Sequence, residues 1–498
     1  MRKPMIPSNG LAAGLAVLSG ILFACCMPGT GAGPLAWFAF VPLLLAARGR
    51  SGLISYTCFN LTGVIGSVGI HIWYPDILGQ GFGLFLMLAS GLLYGSFLQF
   101  GYALQEKFRS PLKALVLPAV WTALEWLRFS APVTGEWWIE VLAKSQWLSP
   151  APLQLVSLTG FAGLSFVILL TNNALAELIA EGFERRRLSR SSLAALLVPI
   201  AVWTGGLAAL SQANEGHWVR AAAHSDMVNQ DSAVQKLGGH TAAGDGYVAD
   251  TPEMSAAIFD INAELTKQAA GNGPSFIVWG ENEFAEYGTE GIDRLKHLAA
   301  DVHAYIAADV TWRSGDGLHD TALLVGPDGR EVGKTAKIQL TDGEKTYGFI
   351  PGSTRGQVFE TSYGKVGLAV CWDRHVTGIV RALAANGARL MLIPVDDDFN
   401  GNAVFPRYAA SDTVFRAVEN RVAIVTGSTS GMSQIVTPYG LMAAASPINE
   451  RTYITGETVL GDGGRTLYNR WGDWFAWVGI AFVILLLGSR IASRRSKS

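Results

Sequence analysis

Charged side chains are scarce in this chain of 498 residues. Asp, Glu, Lys and Arg make up 16% of it, whereas a typical soluble domain carries about 25%. A disordered chain, which needs high charge and low hydrophobicity, is therefore excluded. The net charge of −2 offers no basic excess for binding nucleic acid. Only four cysteines occur, and three of them (Cys25, Cys26 and Cys58) lie in apolar stretches, which excludes a disulfide framework.

Apolar residues account for 50% of the chain, and the mean hydropathy is +0.28. Most apolar stretches approach the roughly 20 residues that cross a bilayer, and none occurs between about 211 and 470. The sequence therefore predicts a multi-span α-helical membrane domain of seven spans at 1–210, an extramembrane domain at 211–470, and an eighth span with a basic tail at 471–498. The eight stretches are 11–27, 35–47, 52–70, 82–105, 112–127, 153–180, 193–210 and 471–489.

Basic residues are concentrated in alternate loops between these stretches. The other set of short loops holds little more than Arg128 and Lys144. Loops rich in Lys and Arg face the cytoplasm, so both termini are predicted inside and residues 211–470 outside. The residues that mark the inside are Arg2, Lys3, Arg48, Arg50, Lys107, Arg109, Lys113, Arg185, Arg186, Arg187, Arg190, Arg490, Arg494, Arg495 and Lys497.

The extramembrane domain alternates between two kinds of pattern. Short apolar runs predict strands at 275–279, 303–311, 366–371, 390–395 and 422–426, and a hairpin at 321–338 turns at Pro327-Asp328-Gly329. Helical spacing occurs at 253–270, 290–300, 376–386 and 406–420. Together they predict an α/β layered domain. We find no nucleotide-binding glycine loop in the sequence.

Three kinds of reactive side chain follow these strands. Cys371 is the only cysteine outside the apolar stretches and ends the predicted strand 366–371. It is either a nucleophile or a buried strand cysteine that packs as a small apolar group. Glu281 and Glu283 follow the strand 275–279, where a carboxylate is solvated, paired or functional. Strand alternation turns either Lys334 or Lys337 inward.

A cysteine, a glutamate and a lysine form a coherent catalytic set. The glutamate takes the thiol proton, and the lysine with a backbone N–H stabilises the oxyanion of a tetrahedral intermediate. The product is a covalent thioester that a second half-reaction splits.

This set resembles the nitrilase (carbon–nitrogen hydrolase) superfamily in residue type and order. Glu281 in Val278-Trp279-Gly280-Glu281 resembles its base, and Lys337 in Lys337-Ile338-Gln339-Leu340 its lysine. Cys371 in Gly367-Leu368-Ala369-Val370-Cys371 resembles its nucleophile. The resemblance implies a nitrilase-like αββα sandwich for residues 211–470.

Over nearly the whole chain, the sequence resembles the apolipoprotein N-acyltransferase family. Segments 121–128 (WTALEWLR), 154–166, 416–421 (RAVENR), 426–431 (TGSTSG) and 437–440 (TPYG) carry this resemblance. It implies transfer of a phospholipid acyl chain to the N-terminal amine of a diacylated lipoprotein, without a cofactor, metal or nucleic acid. It also implies a monomer in the bacterial inner membrane, with the catalytic domain on the periplasmic side.

Several loops depart from the family pattern. Gly280 replaces the usual proline, and Trp372 and Asp373 replace Tyr-Glu after the nucleophile. A Pro-Phe-Gly-Glu-Tyr loop becomes Thr341-Asp342-Gly343-Glu344, and an Asn-Asp-Ala-Trp-Phe-Gly loop becomes residues 396–401, DDDFNG. The residues expected to support the reaction or position substrate are Glu344, Trp372, Asp373 and Glu419.

Other residues offer alternative sites. The acids at 396–398 suggest a metal site or, more simply, a solvated loop. His375, four residues after Cys371, is an alternative partner for the thiol. Glu125 and Arg128 at a span end either pair with each other, bind lipid headgroups or act as interfacial anchors. Trp137 and Trp138 fit an aromatic belt.

Two other functions remain open from the sequence. A membrane-anchored amidase would use the same three residues but resolve the thioester with water. A catalytically inactive homologue would bind lipids or lipoproteins. Seven spans before the extramembrane domain favour the transferase, because an anchor needs only one.

Overall fold

A computed structural model describes residues 6–50, 52–108, 111–130, 140–185, 189–240, 248–249, 251–281, 284–285, 290–397 and 401–495. The chain divides into two compact units. One comprises residues 1–211 and 471–498, and the other comprises residues 212–470. Each is described separately below.

The first unit is helical, and five of its helices are long and apolar enough to cross a membrane. They are Asn9–Cys26, Gly52–Ile70, Gln80–Gln105, Val156–Gly182 and Arg190–Leu210. The three other predicted stretches are covered by shorter helices at Gly33–Ala47, Val116–Ser130 and Trp474–Ser489. All eight apolar stretches are thus helical, while the number of membrane crossings stays a prediction. This unit also has short α-helices at Tyr74–Leu78 and Pro150–Leu153 and 3₁₀ helices at Pro111–Leu115 and Leu142–Gln146.

Small residues let these helices pack closely. At Gly63 an added Cβ would lie 2.1 Å from the carbonyl oxygen of Gly91 and 2.6 Å from the nitrogen of Gly95. Close backbone approach at glycines is typical of helix contacts in membranes.

Glu125 and Arg128 are buried within the helical unit. Arg128 donates to the Tyr94 hydroxyl at 2.6 Å and to the Glu140 carbonyl, and Glu125 accepts from the Leu142 nitrogen at 2.7 Å. Both side chains thus bind protein groups inside the helical unit, and their roles as interfacial anchors or headgroup ligands stay predictions. Trp137 and Trp138 lie outside the described residues.

The second unit is built on two sheet layers. One has the order β8-β7-β6-β4-β1-β15 and the other β9-β10-β11-β12-β13-β14, and they join at a single residue pair, Ser225 with Ser428. The strands are β1 Trp218–Ser225, β2 Gly239–His240, β3 Val248–Ala249, β4 Phe276–Val278, β5 Phe284–Ala285, β6 Tyr305–Arg313, β7 Leu318–Val325, β8 Glu331–Ala336, β9 Val358–Thr361, β10 Gly364–Leu368, β11 Leu390–Val395, β12 Ala423–Ser428, β13 Gln434–Val436, β14 Met442–Ala445 and β15 Thr452–Val459.

Helices cover the outer faces of these layers. Apolar residues of two helices pack on the first layer, among them Phe259 and Leu295 against Ile277, Ile306 and Leu323. The helices of this unit are Ser232–Gln235, Pro252–Ala270, Glu290–Val302, Asp342–Tyr347, Thr377–Ala385, Phe405–Asn420 and Leu467–Trp471. The predicted fold class, a helical membrane domain with an αββα sandwich, is confirmed.

The central strands β4, β10, β11 and β12 run parallel within their layers, so their carboxyl ends lie at one edge. Groups that follow such ends converge on a common site. Three strand ends differ from the prediction by two or three residues: β6 ends at Arg313, β12 ends at Ser428, and β10 ends at Leu368, so that Cys371 begins a 3₁₀ turn, Cys371–His375, instead of ending the strand. The reason at β10 is that Cys371 has a φ of +40°, which a strand cannot contain.

Candidate active site

Glu281 is fixed by backbone contacts at the carboxyl end of β4. Its nitrogen donates to the Val395 carbonyl at 3.3 Å, and its carbonyl accepts from the Thr429 hydroxyl. Gly427 leaves room for the approaching chain, because a Cβ there would lie 2.4 Å from the Trp279 carbonyl oxygen. The side chain is 2% exposed, so its carboxylate depends on partners inside the protein.

Lys337 is the lysine that turns inward. It follows β8, its nitrogen donates to the Asp320 carbonyl at 2.8 Å, and its side chain is 1% exposed. Lys334 instead lies over the Trp312 ring at 3.8 Å and pairs with Glu331. The alternation of β8 thus selects Lys337 for the interior.

Three carboxylates surround the Lys337 ammonium. It donates to Glu281 and to Glu344, and it lies 3.2 Å from Asp320. Glu344 is held in turn by a capping box, in which the Thr341 nitrogen donates to its Oε2 at 2.7 Å. The three acids have the spacing of a metal site, with ligand atoms within 4.8 Å of one another, but each binds the ammonium.

The Cys371 thiol lies beside this cluster. Its Sγ donates to the Asp396 carbonyl at 3.6 Å, one residue after Val395, whose carbonyl accepts from the Glu281 nitrogen, and the charges of Glu281 and Lys337 both act on the pKa of the thiol. A non-glycine residue with a left-handed φ is uncommon and clusters at functional sites. The turn therefore holds the buried sulfur against the segment that follows β11, beside the chain that carries Glu281.

Asp373 ties this turn to the chain around Lys337. Its carboxylate accepts from the nitrogens of Ile338 at 3.1 Å, Gln339 at 2.7 Å and Val370 at 3.3 Å. Burial raises the pKa of Asp373 to about 6, although these bonds oppose the shift. Asp373 thus positions the lysine and the cysteine relative to each other.

Burial and neighbouring charges shift the ionisation of all three central groups. Burial raises the pKa of Glu281 well above its usual value, against the pull of Lys337, and Asp320 and Glu344 raise it further. Burial also raises the pKa of the Cys371 thiol, and Glu281 adds to this. For Lys337, burial lowers the pKa, but the charges of Glu281, Cys371 and Asp320 outweigh it and raise the pKa. The lysine therefore stays charged, and the thiol keeps its proton until a base removes it.

Trp372 and Glu419 lie on a second network beside the turn. Trp372 packs against the His375 ring at 4.8 Å, and His375 Nδ1 lies 2.7 Å from an Asp412 oxygen. Arg416 joins Asp412 to Glu419, at 3.9 and 3.1 Å. His375 as a partner of the thiol stays an untested alternative: its Nδ1 binds Asp412, and the hydrogen bond of the Cys371 Sγ goes to the Asp396 carbonyl.

The acids after β11 do not share one partner. Asp396 accepts from Asn229 at 3.0 Å and from Ser430, whereas Asp397 pairs with Arg374. Asp398 lies outside the described residues, as does Glu283.

Comparison with known proteins identifies both units. The model of the carbon–nitrogen hydrolase family matches residues 251–468, and that of the apolipoprotein N-acyltransferase N-terminal domain matches residues 19–174. Apolipoprotein N-acyltransferase of Geobacter metallireducens is 29% identical, with 94% of this chain and 93% of its own length aligned. The chain belongs to the apolipoprotein N-acyltransferase family.

Other members and relatives match with different coverage. Apolipoprotein N-acyltransferase of Thermotoga maritima is 24% identical, with 97% of this chain and 95% of its own length aligned. A nitrilase of Pyrococcus abyssi is 35% identical but aligns with only 33% of this chain and 59% of its own length. The solved carbon–nitrogen hydrolase of Helicobacter pylori aligns with 52% of this chain and 94% of its own, at 18% identity and a TM-score of 0.41.

Three parts of the site in this family member were missed from the sequence. Asp320 had a signal, because it is the one acidic residue in the largely buried strand β7, LHDTALLV. Asp412 and Arg416 also had one, since with Glu419 they recur every three or four residues on one helix. Arg374 lacked a signal, because its partner Asp397 is distant in sequence.

Proposed function

We propose that this chain transfers an acyl chain from a phospholipid to the N-terminal amine of a diacylglyceryl-cysteine lipoprotein. The observation that carries the proposal is the buried cluster of Cys371, Glu281 and Lys337 in a chain that also has the family's membrane domain. The reaction proceeds in two half-reactions through a thioester on Cys371. One copy of the chain supplies all three groups, and we propose a monomer.

In the first half-reaction, Glu281 removes the Cys371 proton as the sulfur attacks the ester carbonyl of the phospholipid. Lys337 remains charged and stabilises the oxyanion of the tetrahedral intermediate. The C–O bond then breaks, Glu281 returns the proton to the departing alkoxide, and a lysophospholipid leaves. Cys371 holds the acyl chain as a thioester.

In the second half-reaction, the lipoprotein amine attacks the thioester carbonyl. Glu281 takes a proton from the amine, the C–S bond breaks, and the proton passes to the Cys371 sulfur. The free thiol and an amide product result. Asp373 positions the turn, and Glu344 and Asp320 hold the ammonium of Lys337 in place.

Intact-mass measurement of the purified protein tests this function. After incubation with phospholipid, we expect a mass gain of one acyl chain. Addition of a diacylated lipopeptide with a free amine should remove the acyl chain from the protein and place it on the peptide. An N-acetylated form of the same peptide is the matched control and should accept none. If water removes the acyl chain as fast as the amine does, the protein is an amidase-type hydrolase, and if no acyl chain is gained, it is an inactive homologue.

The chain is a bacterial membrane protein, and we propose that residues 212–470 face away from the cytoplasm. The support is the distribution of Lys and Arg among the loops. Protease added to spheroplasts is expected to cleave within 212–470 while the membrane is intact. Cleavage there only after membrane rupture would contradict this orientation.

A further inference from the structure

A buried ion pair connects the turn that carries the nucleophile to the segment after β11. Arg374, in the same turn as Cys371, donates to Asp397, which follows β11. The two side chains are 0% and 2% exposed. A buried pair with both charges desolvated contributes little net stability, and removing one partner leaves the other charge uncompensated. Because the pair adds little net stability, its place in the turn that carries the thiol points to a role in positioning.

The pair connects the two segments that determine where the sulfur points. Asp397 is anchored by its own nitrogen, which donates to the Ser430 carbonyl at 3.0 Å. The preceding residue, Asp396, provides the carbonyl that accepts from the thiol. Gly431 leaves room for this arrangement, because a Cβ there would lie 2.7 Å from the Asp397 Cβ. Arg374 thus fastens the nucleophile's turn to the segment that receives its hydrogen bond.

The pair also balances charge around the thiol. Asp397 raises the pKa of Cys371, after burial and Glu281, while Arg374 lowers it along with Lys337. The charged and titratable groups on the segments around this turn are Glu281 after β4, Asp320 on β7, Lys337 after β8, Glu344, Asp396 and Asp397 after β11, and Asp412, Arg416 and Glu419 on the helix Phe405–Asn420, with Asp373 and His375 in the turn itself. Arg374 and Asp397 oppose each other within this set.

We propose that Arg374 and Asp397 are a positioning pair for Cys371, which holds the thiol against the Asp396 carbonyl while adding no net charge beside it. This inference rests on the proposed role of Cys371 as the nucleophile. The pair lies in neither of the sets that bind Lys337 or His375, and it joins two places where this chain departs from the family pattern.

Alkylation of Cys371 by iodoacetamide, followed by intact mass across pH, tests the pair without any lipid substrate. The background carries Cys25, Cys26 and Cys58 changed to alanine, so only one thiol reacts. Asp397→Asn leaves the Arg374 charge unbalanced and should shift the alkylation profile to lower pH. Arg374→Met leaves Asp397 unbalanced and should shift it to higher pH. We expect rate changes at neutral pH of at least about threefold, in opposite directions.

The double variant Arg374→Met/Asp397→Asn separates charge from position. Because no charge is left alone, its alkylation profile should return to that of the parent. Acylation by phospholipid should still fall about 10-fold to 100-fold, since the turn is no longer fastened. If a single variant fails to fold, the double variant alone decides: a parental profile with slow acylation supports the pair, and parental acylation overturns it.

Arg294→Met and Asp260→Asn form the matched control, because this arginine–aspartate pair is exposed on the outer helices. Neither should change the profile or the acylation rate. Shifts of the two single variants in the same direction, or no shift in either, would overturn the proposed balance. If the parent protein itself gains no acyl chain from phospholipid, the proposed function is rejected. The alkylation rates still test the pair, because that assay uses no lipid substrate.

Discussion

Changing Cys371 to alanine should abolish both half-reactions, with no acyl-enzyme and no transfer to a lipopeptide amine detected. Cys371→Ser should be almost as inactive. A hydroxyl is a much weaker nucleophile than a thiol at neutral pH. Its pKa is also much higher than that of a thiol, so the same base removes its proton less readily. Intact mass after phospholipid exposure and a lipopeptide assay measure the two half-reactions separately.

The other cysteines provide the control for this experiment. Cys25, Cys26 and Cys58 lie in the helical unit, and the triple change to alanine should retain turnover. Thermal unfolding in detergent checks whether the Cys371 variants fold. Cys371→Ser should unfold close to the parent's temperature, because replacing a thiol by a hydroxyl barely alters the side-chain volume. Turnover in folded Cys371→Ala close to that of the parent would reject the thioester mechanism.

The order of strands and helices could be predicted from the sequence because their apolar spacing is local. β11 was predicted without error, and the helices near 253–270 and 406–420 differ from the observed bounds by one residue at most. β1 and β15 were missed. β1 has a run of three alanines flanked by Arg220 and His224, and β15 alternates weakly, so neither has a strong apolar pattern of its own, although the two pair along their whole length.

The candidate site was only partly predictable from the sequence, because some of its residues come together only through the pairing of strands. Family motifs pointed to Glu281, Lys337 and Cys371, and strand parity narrowed the lysine to two positions. Asp320 is marked by its charge in a buried strand, but its place in the acid cluster follows from the register of β7 and β8, which pairs Thr321 with Ala336 and so sets Asp320 opposite Lys337. The turn at Cys371 was mistaken for strand since its apolar neighbours continue the β10 pattern.

Glu281→Gln is expected to slow both acyl-enzyme formation and amine transfer by roughly 10²–10⁴-fold, the usual contribution of general acid–base catalysis. The amide keeps the shape of the carboxylate but cannot take the thiol proton. Lys337 keeps two carboxylate partners, Asp320 and Glu344, so the loss reports proton transfer more than collapse of the cluster. Single-turnover acylation and lipopeptide transfer should be measured separately.

Glu283→Gln is the matched control, with the same chemical change two residues further along the chain. Strand parity does not distinguish the two glutamates, so the contrast between the variants carries the assignment. Glu281 is bound to Lys337 and its charge acts on the Cys371 thiol, and a base must come within hydrogen-bond reach of the proton that it removes. Because Glu281 acts in both half-reactions, its loss should slow both by similar factors. If Glu283→Gln lost acyl-enzyme formation while Glu281→Gln kept it, the base would be Glu283, and the bond between Glu281 and Lys337 would serve only to hold the ammonium.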